Sequence, residues 1–319
     1  MKFYAKIFEQ LKEAGIQIDK NSPTGARLAI ILIDNIFELV LFQKIQKEFE
    51  TDGIFSSEAT RKYPKSKRDE VIRDFKNILR FVYSDLQLFS KEHFDIINIC
   101  HKMRNEAYHT NILRDEIVIG VSRAYFQTCC ELLPNLLPGR YSYSYPLEPY
   151  LEKIVNDLGI SPHDIHNFSD IISSISNGRN CNIEIFARRV SDFFLRRIDE
   201  LISNLNYFQT LDNSSTTITD QTENTLIFLQ LSGRGERDII EKYTNNRSLK
   251  SYQVDVTIRN IQRWHSLAGG ITTEQSIRGV LWKFSLIDEK LEVIERIVEE
   301  AVNQLDEYID IQTEILMGK

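Results

Sequence analysis

The sequence contains little of what a turn-rich or disulfide-linked protein needs. Its 319 residues include only 13 glycines, 7 prolines and 4 cysteines. So few glycines and prolines argue against many short strands joined by tight turns. The cysteines show no C-x-x-C spacing, and two adjacent cysteines cannot readily form a disulfide with each other. We expect reduced, mostly buried thiols in a cytoplasmic protein at Cys100, Cys129, Cys130 and Cys181.

Long apolar runs and an N-terminal signal are also missing. The longest apolar stretch, residues 28–42, is interrupted by Asp34, Asn35 and Glu38, so we expect no membrane span. Charged side chains occur throughout the first fifteen residues, where a signal peptide would require an apolar segment. The sequence therefore predicts a cytoplasmic protein that does not bind a membrane.

The net charge of −7 is distributed unevenly along the chain. Residues 1–142 contain 21 Lys and Arg against 19 Asp and Glu, a net charge of +2, and the remainder contains 18 against 27, a net charge of −9. An acidic chain argues against a protein that coats nucleic acid through bulk charge. A local basic site in the N-terminal half is still expected. We predict an RNA-binding cluster there, formed by Arg61, Lys62, Lys65, Lys67 and Arg68. The alternative is that these residues only form a solvated loop and helix start.

Apolar residues recur with a helical period through most of the chain, which predicts an all-α protein. Residues 134–149 contain four prolines and the run Tyr-Ser-Tyr-Ser-Tyr, which is typical of a domain boundary. We therefore expect a helical bundle over residues 1–137, a linker over 138–148, and a helical C-terminal domain of unknown role over 149–319.

Two of the predicted helices have informative apolar stripes. The second helix is expected to begin at Ser22-Pro23, a capping residue followed by a helix-start proline. The long last helix, about 280–316, repeats apolar residues in steps of four and three, and this stripe is either core-facing or a dimer seam. In the second helix, one apolar face contains Leu28, Ile31, Leu32, Leu39 and Phe42, and the polar Asn35 interrupts it.

One motif combines two residue types that RNA cleavage needs. Arg104 and Asn105 are followed, after three more residues, by His109. A histidine can move the ribose 2′-hydroxyl proton or protonate the leaving oxygen, and an arginine can hold the phosphate oxygens. Five residues make about 1.4 helical turns, so we expect a helix end between them to bring both side chains to one phosphate. A similar spacing separates Arg259 from His265, where the surroundings do not support the motif.

The motif and its helical context resemble the HEPN ribonuclease family over about residues 1–135. Family members are small helical bundles in which the motif closes the penultimate helix and an early helix carries an acidic residue among aliphatic ones. The resemblance implies that Arg104, Asn105 and His109 are catalytic, with possible support from Asp34, Glu38 and His101.

The resemblance also implies an activity and partners. It implies a metal-independent endoribonuclease that needs no cofactor, leaves a cyclic phosphate end, and acts in toxin or antiviral defence systems. Two copies would pair through the N-terminal bundle around a composite cleft, and an antitoxin or regulatory protein is a possible partner. Asn111 stands where some family toxins carry a tyrosine that is modified by their antitoxin, which argues against that form of control. The alternative is a non-catalytic HEPN-like scaffold or partner-binding protein in which the same residues only stabilise the bundle.

Overall fold

The computed structural model describes residues 2–55, 60–109, 114–137, 149–157, 159, 168–210, 218–232, 242–243 and 248–317. Within these ranges the chain is helical and contains no strand, which confirms the all-α prediction. No helix in the described part combines the length and apolar character needed to cross a membrane.

Twelve α-helices and one short 3₁₀ helix have their bounds in these ranges. The first six are α1 (Lys2–Asp19), α2 (Pro23–Phe55), α3 (Lys65–Val71), α4 (Phe75–Ser84), α5 (Lys91–His109) and α6 (Asp115–Leu136). The remaining six are α7 (Pro149–Asp157), α8 (Phe168–Ser176), α9 (Ile183–Thr210), α10 (Ile218–Ser232), α11 (Ile258–Gly269) and α12 (Ile277–Leu316). The 3₁₀ helix, Gly270–Thr273, follows α11 directly.

Contacts divide the chain into two compact units. The first contains Met1–Phe186 and Gln275–Trp282, and the second contains Ala187–Glu274 and Lys283–Lys319. The expected linker, 138–148, lies outside the described residues, as does most of the helix predicted over 235–245.

The turn into α2 has the chemistry that the sequence predicts. Asn21 adopts a left-handed φ of 46°, and its N–H donates to the Ile18 carbonyl at 3.0 Å. Asparagine tolerates this conformation better than most residues. Ser22 Oγ then accepts a hydrogen bond from the Gly25 N–H at 3.2 Å, and Pro23 is the first helical residue. The predicted helix start at Ser22-Pro23 is confirmed.

Helix α2 is the central element of the first unit and packs mainly against α1 and α6, with α4 and α5 alongside. Its buried side chains include Ile33, Phe37 and Leu41, and Phe37 stacks on Tyr125 of α6 with ring centroids 5.4 Å apart. The apolar face identified in the sequence is not the buried one, because Leu28, Leu39 and Phe42 are 45%, 38% and 40% exposed. Apolar residues occur around the whole helix, so the sequence pattern alone could not identify which face α1 and α6 cover.

Two helices rather than one cover residues 67–83, where apolar residues recur with a helical period. Helix α3 ends at Val71, and α4 begins at Phe75 after a turn. Asp74 caps α4, because its side chain accepts a hydrogen bond from the Asn77 N–H at 2.8 Å. An aspartate at this position competes with the preceding helix for the backbone and so favours a new helix start.

In the second unit, α9 packs beside α12 through aromatic and ionic contacts. Phe194 and Phe284 have ring centroids 5.2 Å apart. The apolar stripe of α12 is core-facing over its first part, where Ile287 and Leu291 are fully buried, but Tyr308 is 60% exposed. The stripe therefore combines a core-facing part with an exposed continuation.

Candidate functional site

The candidate site is centred on Asp34, a fully buried carboxylate on α2. It accepts a hydrogen bond from Tyr125 Oη of α6 at 2.8 Å and another from His101 Nδ1 of α5 at 3.0 Å. The Nε of Arg104 lies 3.2 Å from Asp34 Oδ2. A buried carboxylate is costly unless donors and charge surround it, and side chains from two other helices provide both.

Helix periodicity explains why these residues meet. Asp34 and Glu38 are one turn apart on α2, and His101, Arg104 and Asn105 lie within about one turn on α5, so each group shares one side of its helix. Helices α2 and α5 pack together, which brings the two groups into contact. The structure therefore brings together five of the six residues named from the motif and its resemblance.

Arg104 lies between the two carboxylates and remains open to solvent. Its Nη2 is 3.4 Å from Glu38 Oε1, and its Nη1 donates to Asn105 Oδ1 at 2.8 Å. The Arg104 side chain is 24% exposed and that of Glu38 34% exposed. Protein groups thus orient the guanidinium, while the side chain as a whole remains partly exposed.

The imidazole of His101 is held from several sides. Its Nδ1 faces Asp34, and its Nε2 is 3.3 Å from Asn105 Nδ2. The Phe75 ring of α4 lies against it, with ring centroids 4.4 Å apart. An Nδ1–H that donates to Asp34 leaves the Nε2 lone pair to accept from the asparagine amide.

The buried groups of the site differ in how readily they ionise. Burial, reinforced by the negative charge of Asp34, raises the pKa of Tyr125 and of Cys100 well above their ordinary values. Burial and then the Asp34 charge also raise the pKa of Glu38, against the lowering effects of Arg104 and His101. Tyr125 therefore stays protonated and donates to Asp34, while Glu38 holds a proton more readily than a free glutamate.

Asp34, Glu38 and His101 could in principle hold a metal ion, since their ligand atoms lie within 4.8 Å of one another. However, the Arg104 guanidinium already contacts both carboxylates. It supplies the positive charge that a divalent cation would bring, and it would be repelled by that cation. The residues as arranged therefore fit an arginine-centred site better than a metal centre.

The structure places position 109 differently from our expectation. Helix α5 continues through His109, so no helix end separates it from position 104. On a continuous helix, five residues correspond to about 140° around the axis and about 7.5 Å along it. The side chains of residues 106–109 lie outside the described part of the structure, as do residues 110–113, which include Asn111.

In the predicted basic cluster, Arg68 has structural partners. Its Nη2 donates to Asp52 Oδ2 at 2.8 Å, and its Nε donates to the Tyr63 carbonyl at 2.7 Å. The guanidinium also lies 5.2 Å from the centre of the Phe49 ring. Arg68 therefore helps to hold the segment before α3 against α2.

The other four members of the cluster are more available to a ligand. Lys62 is exposed and lies 4.8 Å from the centre of the Tyr63 ring, and Lys65 is exposed. Lys67 is 4.0 Å from Glu70 one turn further along α3, and Arg61 is half-buried. A surface ion pair such as Lys67–Glu70 contributes little to stability, so the lysine can bind a phosphate instead.

Two other features lie in the second unit. Arg259 and His265 are both exposed on the continuous helix α11, and His265 Nε2 is 3.9 Å from Asp199 Oδ1. A cavity of about 640 Å³, which no sequence motif indicated, lies between α11 and α12. Its walls carry both signs of charge and a buried tryptophan, in residues Asp255, Arg263, Trp264, Glu289 and Lys290.

Sequence reasoning missed two side chains of the Asp34 site. These are Tyr125 of α6, which donates to Asp34, and Phe75 of α4, which packs against His101. Tyr125 is 91 residues from Asp34 in sequence, so no local spacing could connect them.

No protein-family model matches the chain, and neither the curated proteins nor the solved structures contain a match.

Proposed function

We propose that this protein is a metal-independent endoribonuclease of the HEPN type. The observation that supports this most is Arg104, which Asp34 and Glu38 hold in position while its side chain remains partly exposed. Its contact with Glu38, at 3.4 Å, is long enough to be exchanged for a phosphate oxygen. Arg104 would then stabilise the charge that develops on the phosphate, Asn105 would keep the guanidinium oriented, and His109 would protonate the leaving oxygen.

The exposed stripe of α2 supports a homodimer through the N-terminal bundle. Leu28, Leu39 and Phe42 are exposed on one face, with half-buried Asn35 between them, and Glu38 lies at the margin of this face. A second copy that covers the stripe would approach the Arg104 site. On a continuous helix, positions 104 and 109 are about 140° apart around the axis. In a composite cleft, His109 of the second copy can act on the phosphate that Arg104 of the first copy binds.

The proposal includes the cellular setting that the resemblance implies. Cys100, Cys129, Cys130 and Cys181 are all free and buried, which supports a reducing compartment such as the cytoplasm. RNA would be the substrate, and Lys62, Lys65 and Lys67 would add contacts to its backbone. A toxin or antiviral effector of this type would be held inactive by an antitoxin or regulatory protein.

Cleavage of RNA by purified protein tests the proposal. Wild type, Arg104→Lys and His109→Ala are compared with and without a chelator. Arg104→Lys keeps a positive charge beside Asp34 but loses the planar fork, so we expect the fold to survive and the rate to fall by about 10²-fold or more. Wild-type activity should be insensitive to the chelator.

Expression in cells gives an independent readout. We expect wild type to slow growth and degrade RNA, and His109→Ala to do neither at equal protein level. Equal growth and equal RNA integrity with the two proteins would contradict the nuclease proposal, and loss of activity in chelator would contradict the metal-free mechanism.

One observation favours the alternative of a non-catalytic scaffold. Asp34 is contacted by Tyr125, His101 and Arg104, so the same residues also complete a buried polar network. If this is their whole role, Arg104→Lys lowers stability while neither protein cleaves RNA.

A further inference from the structure

His101 is the residue of the site that has no role in the proposed function, although it contacts the same Asp34 that holds Arg104. His101 Nδ1 lies 3.0 Å and 3.1 Å from the two oxygens of a carboxylate that has no exposure to solvent. Tyr125 holds one of those oxygens by a hydrogen bond of 2.8 Å. The carboxylate is therefore fixed, and it fixes the imidazole in turn.

This arrangement sets the proton positions on the ring. A carboxylate accepts hydrogen bonds, so the Nδ1 facing it carries the proton and Nε2 keeps its lone pair. The Nε2 partner is the Asn105 amide at 3.3 Å, a long hydrogen bond that a stronger donor can replace. The imidazole is thus presented as a base, and its side chain is 20% exposed.

The base lies beside the phosphate-binding group. His101 and Arg104 are three residues apart on α5, and both contact Asp34. A phosphate held by the guanidinium would place the neighbouring ribose near the imidazole. A reacting hydroxyl and its phosphorus need to be only about 3–3.5 Å apart, a separation that two adjacent side chains can span.

We infer that His101 is the general base of the cleavage reaction and that Asp34 and Tyr125 are its positioning residues. The inference rests on the proposed function and assigns the two histidines separate tasks. It departs from a mechanism in which His109 alone moves both protons.

The reaction balances with these groups. Nε2 of His101 takes the proton of the ribose 2′-hydroxyl, and the 2′-oxygen forms a bond to phosphorus as the bond from phosphorus to the 5′-oxygen breaks. The leaving oxygen takes a proton from His109. The products are a 2′,3′-cyclic phosphate and a free 5′-hydroxyl, and water returns each histidine to its starting state.

The pH dependence follows from His101 and the groups that face it. The carboxylates nearest His101 Nδ1 are those of Asp34 and Glu38 on α2, at 3.0 Å and 3.9 Å. Arg104 follows on α5, Tyr125 of α6 shares the Asp34 carboxylate, and the neighbour from α4 is the uncharged Phe75. A general base must be unprotonated and a general acid protonated, so a reaction that uses both should show a bell-shaped dependence of the single-turnover rate on pH.

The test compares His101→Gln with wild type in single-turnover cleavage of a short RNA. Glutamine keeps a donor for Asp34 but cannot accept and release a proton in this pH range. We expect the rate at neutral pH to fall by about 10²-fold or more, and the pH profile to lose its bell shape, because hydroxide then has to replace the base. An RNA with a single 2′-deoxy nucleotide at the cleavage site should resist wild type.

His93→Gln is the matched control, because it makes the same change on α5 at a partly exposed histidine that bonds Ser90 Oγ at 2.9 Å. It should leave the pH profile unchanged, and thermal unfolding should show that both variants are folded.

Wild-type-like kinetics in a folded His101→Gln would overturn the inference and leave the proposed function intact. No cleavage by wild type itself would overturn both. If His101→Gln does not fold, Tyr125→Phe decides: an unchanged pH profile and rate in that variant would reject the positioning roles and the assignment with them.

Discussion

At the scale of single residues, the fold depends on a small number of buried charges that are satisfied by specific partners. Asp34 in the first unit and Asp288 in the second are both buried, and each is contacted by an arginine. Removing the cation from a buried carboxylate costs several kcal/mol of stability. Substitutions in these pairs should therefore destabilise the protein more than substitutions at solvent-exposed neighbours.

Glu38 should make stability depend on pH in a defined direction. Its raised pKa means that the folded protein binds the proton more tightly than the unfolded chain. Glu38 therefore stabilises the fold below its ordinary pKa of 4.5, and this contribution is lost as the pH rises through the folded value. Glu38→Gln should accordingly gain stability relative to wild type between pH 4 and neutral pH, measured by urea unfolding.

Glu9→Gln is the control for this measurement, since Glu9 is exposed on α1. The difference in unfolding free energy between Glu9→Gln and wild type should change little over the same pH range. A loss of relative stability by Glu38→Gln as the pH rises would show that the Arg104 contact outweighs burial.

Arg197 should be essential to the packing of α9 on α12. Its Nε and Nη1 donate to Glu295 at 2.9 Å and to Asp288 at 3.0 Å, and it lies 4.9 Å from the centre of the Phe193 ring. Arg197→Leu would leave two largely buried carboxylates without their cation. We expect a loss of about 3–5 kcal/mol in unfolding free energy.

The neighbouring Arg196, which is exposed, provides the comparison for Arg197. Arg196→Leu should change the unfolding free energy by about 0.5 kcal/mol or less. If the two variants are equally stable, the buried ion pairs do not stabilise the contact between α9 and α12.

At the scale of helices, the sequence predicted where helices exist better than which face they bury. The start of α2 at Ser22-Pro23 followed from local capping chemistry, which needs no knowledge of the rest of the fold. The buried face of α2 did not follow, because Ile33 and Phe37 compete with Leu28 and Leu39 for the core and only tertiary packing decides between them. On α12 a single apolar stripe is buried at Ile287 and Leu291 but exposed at Tyr308, so the sequence pattern did not show how far the stripe is covered.

The candidate site was predictable to the extent that it lies on two helical faces. Asp34 with Glu38, and His101 with Arg104, follow from one-turn spacing in the sequence. Tyr125 did not, because its hydroxyl reaches Asp34 only through the packing of α6 on α2. The continuation of α5 through His109 also could not be derived, since the polar residues after Arg104 allow either a helix end or another turn.

Close helix packing at Gly120 gives a prediction for α6. A Cβ at this position would overlap the buried ring of Phe186. Gly120→Ala should therefore destabilise the protein by about 1–3 kcal/mol, although alanine favours a helix more than glycine does. Thermal unfolding measures this effect.

A second substitution separates the steric overlap from other effects at Gly120. Gly120→Ala combined with Phe186→Leu should recover part of the lost stability, because the smaller side chain makes room for the Cβ. If Gly120→Ala alone is as stable as wild type, the Phe186 ring moves aside without a cost in stability.

At the scale of the whole molecule, the net charge differs along the chain. Residues 1–142 have a net charge of +2 and carry the proposed RNA site, whereas residues 143–319 have a net charge of −9. The acidic C-terminal part would repel RNA, so nucleic acid should engage residues 1–142. Both units present an exposed apolar helix stripe, and either one could join two copies of the chain.

The two stripes can be distinguished by placing the same charge in each. Leu39 is 38% exposed on α2, and Ile311 is 54% exposed on α12. If the dimer forms through the N-terminal bundle, Leu39→Glu should shift the protein toward monomer in light scattering across a concentration series, because it buries a charge at the interface. Ile311→Glu should leave the dimer intact.

The cleavage rate should then follow the oligomeric state, since a composite cleft requires two copies. Leu39→Glu should lose RNA cleavage as it dissociates, and part of that activity should return at higher protein concentration by mass action. Dissociation by Ile311→Glu alone would instead place the dimer seam on α12. A monomeric Leu39→Glu that still cleaves RNA at the wild-type rate would show that one copy holds the complete site, which would require His109 to reach the phosphate from the helix that carries Arg104.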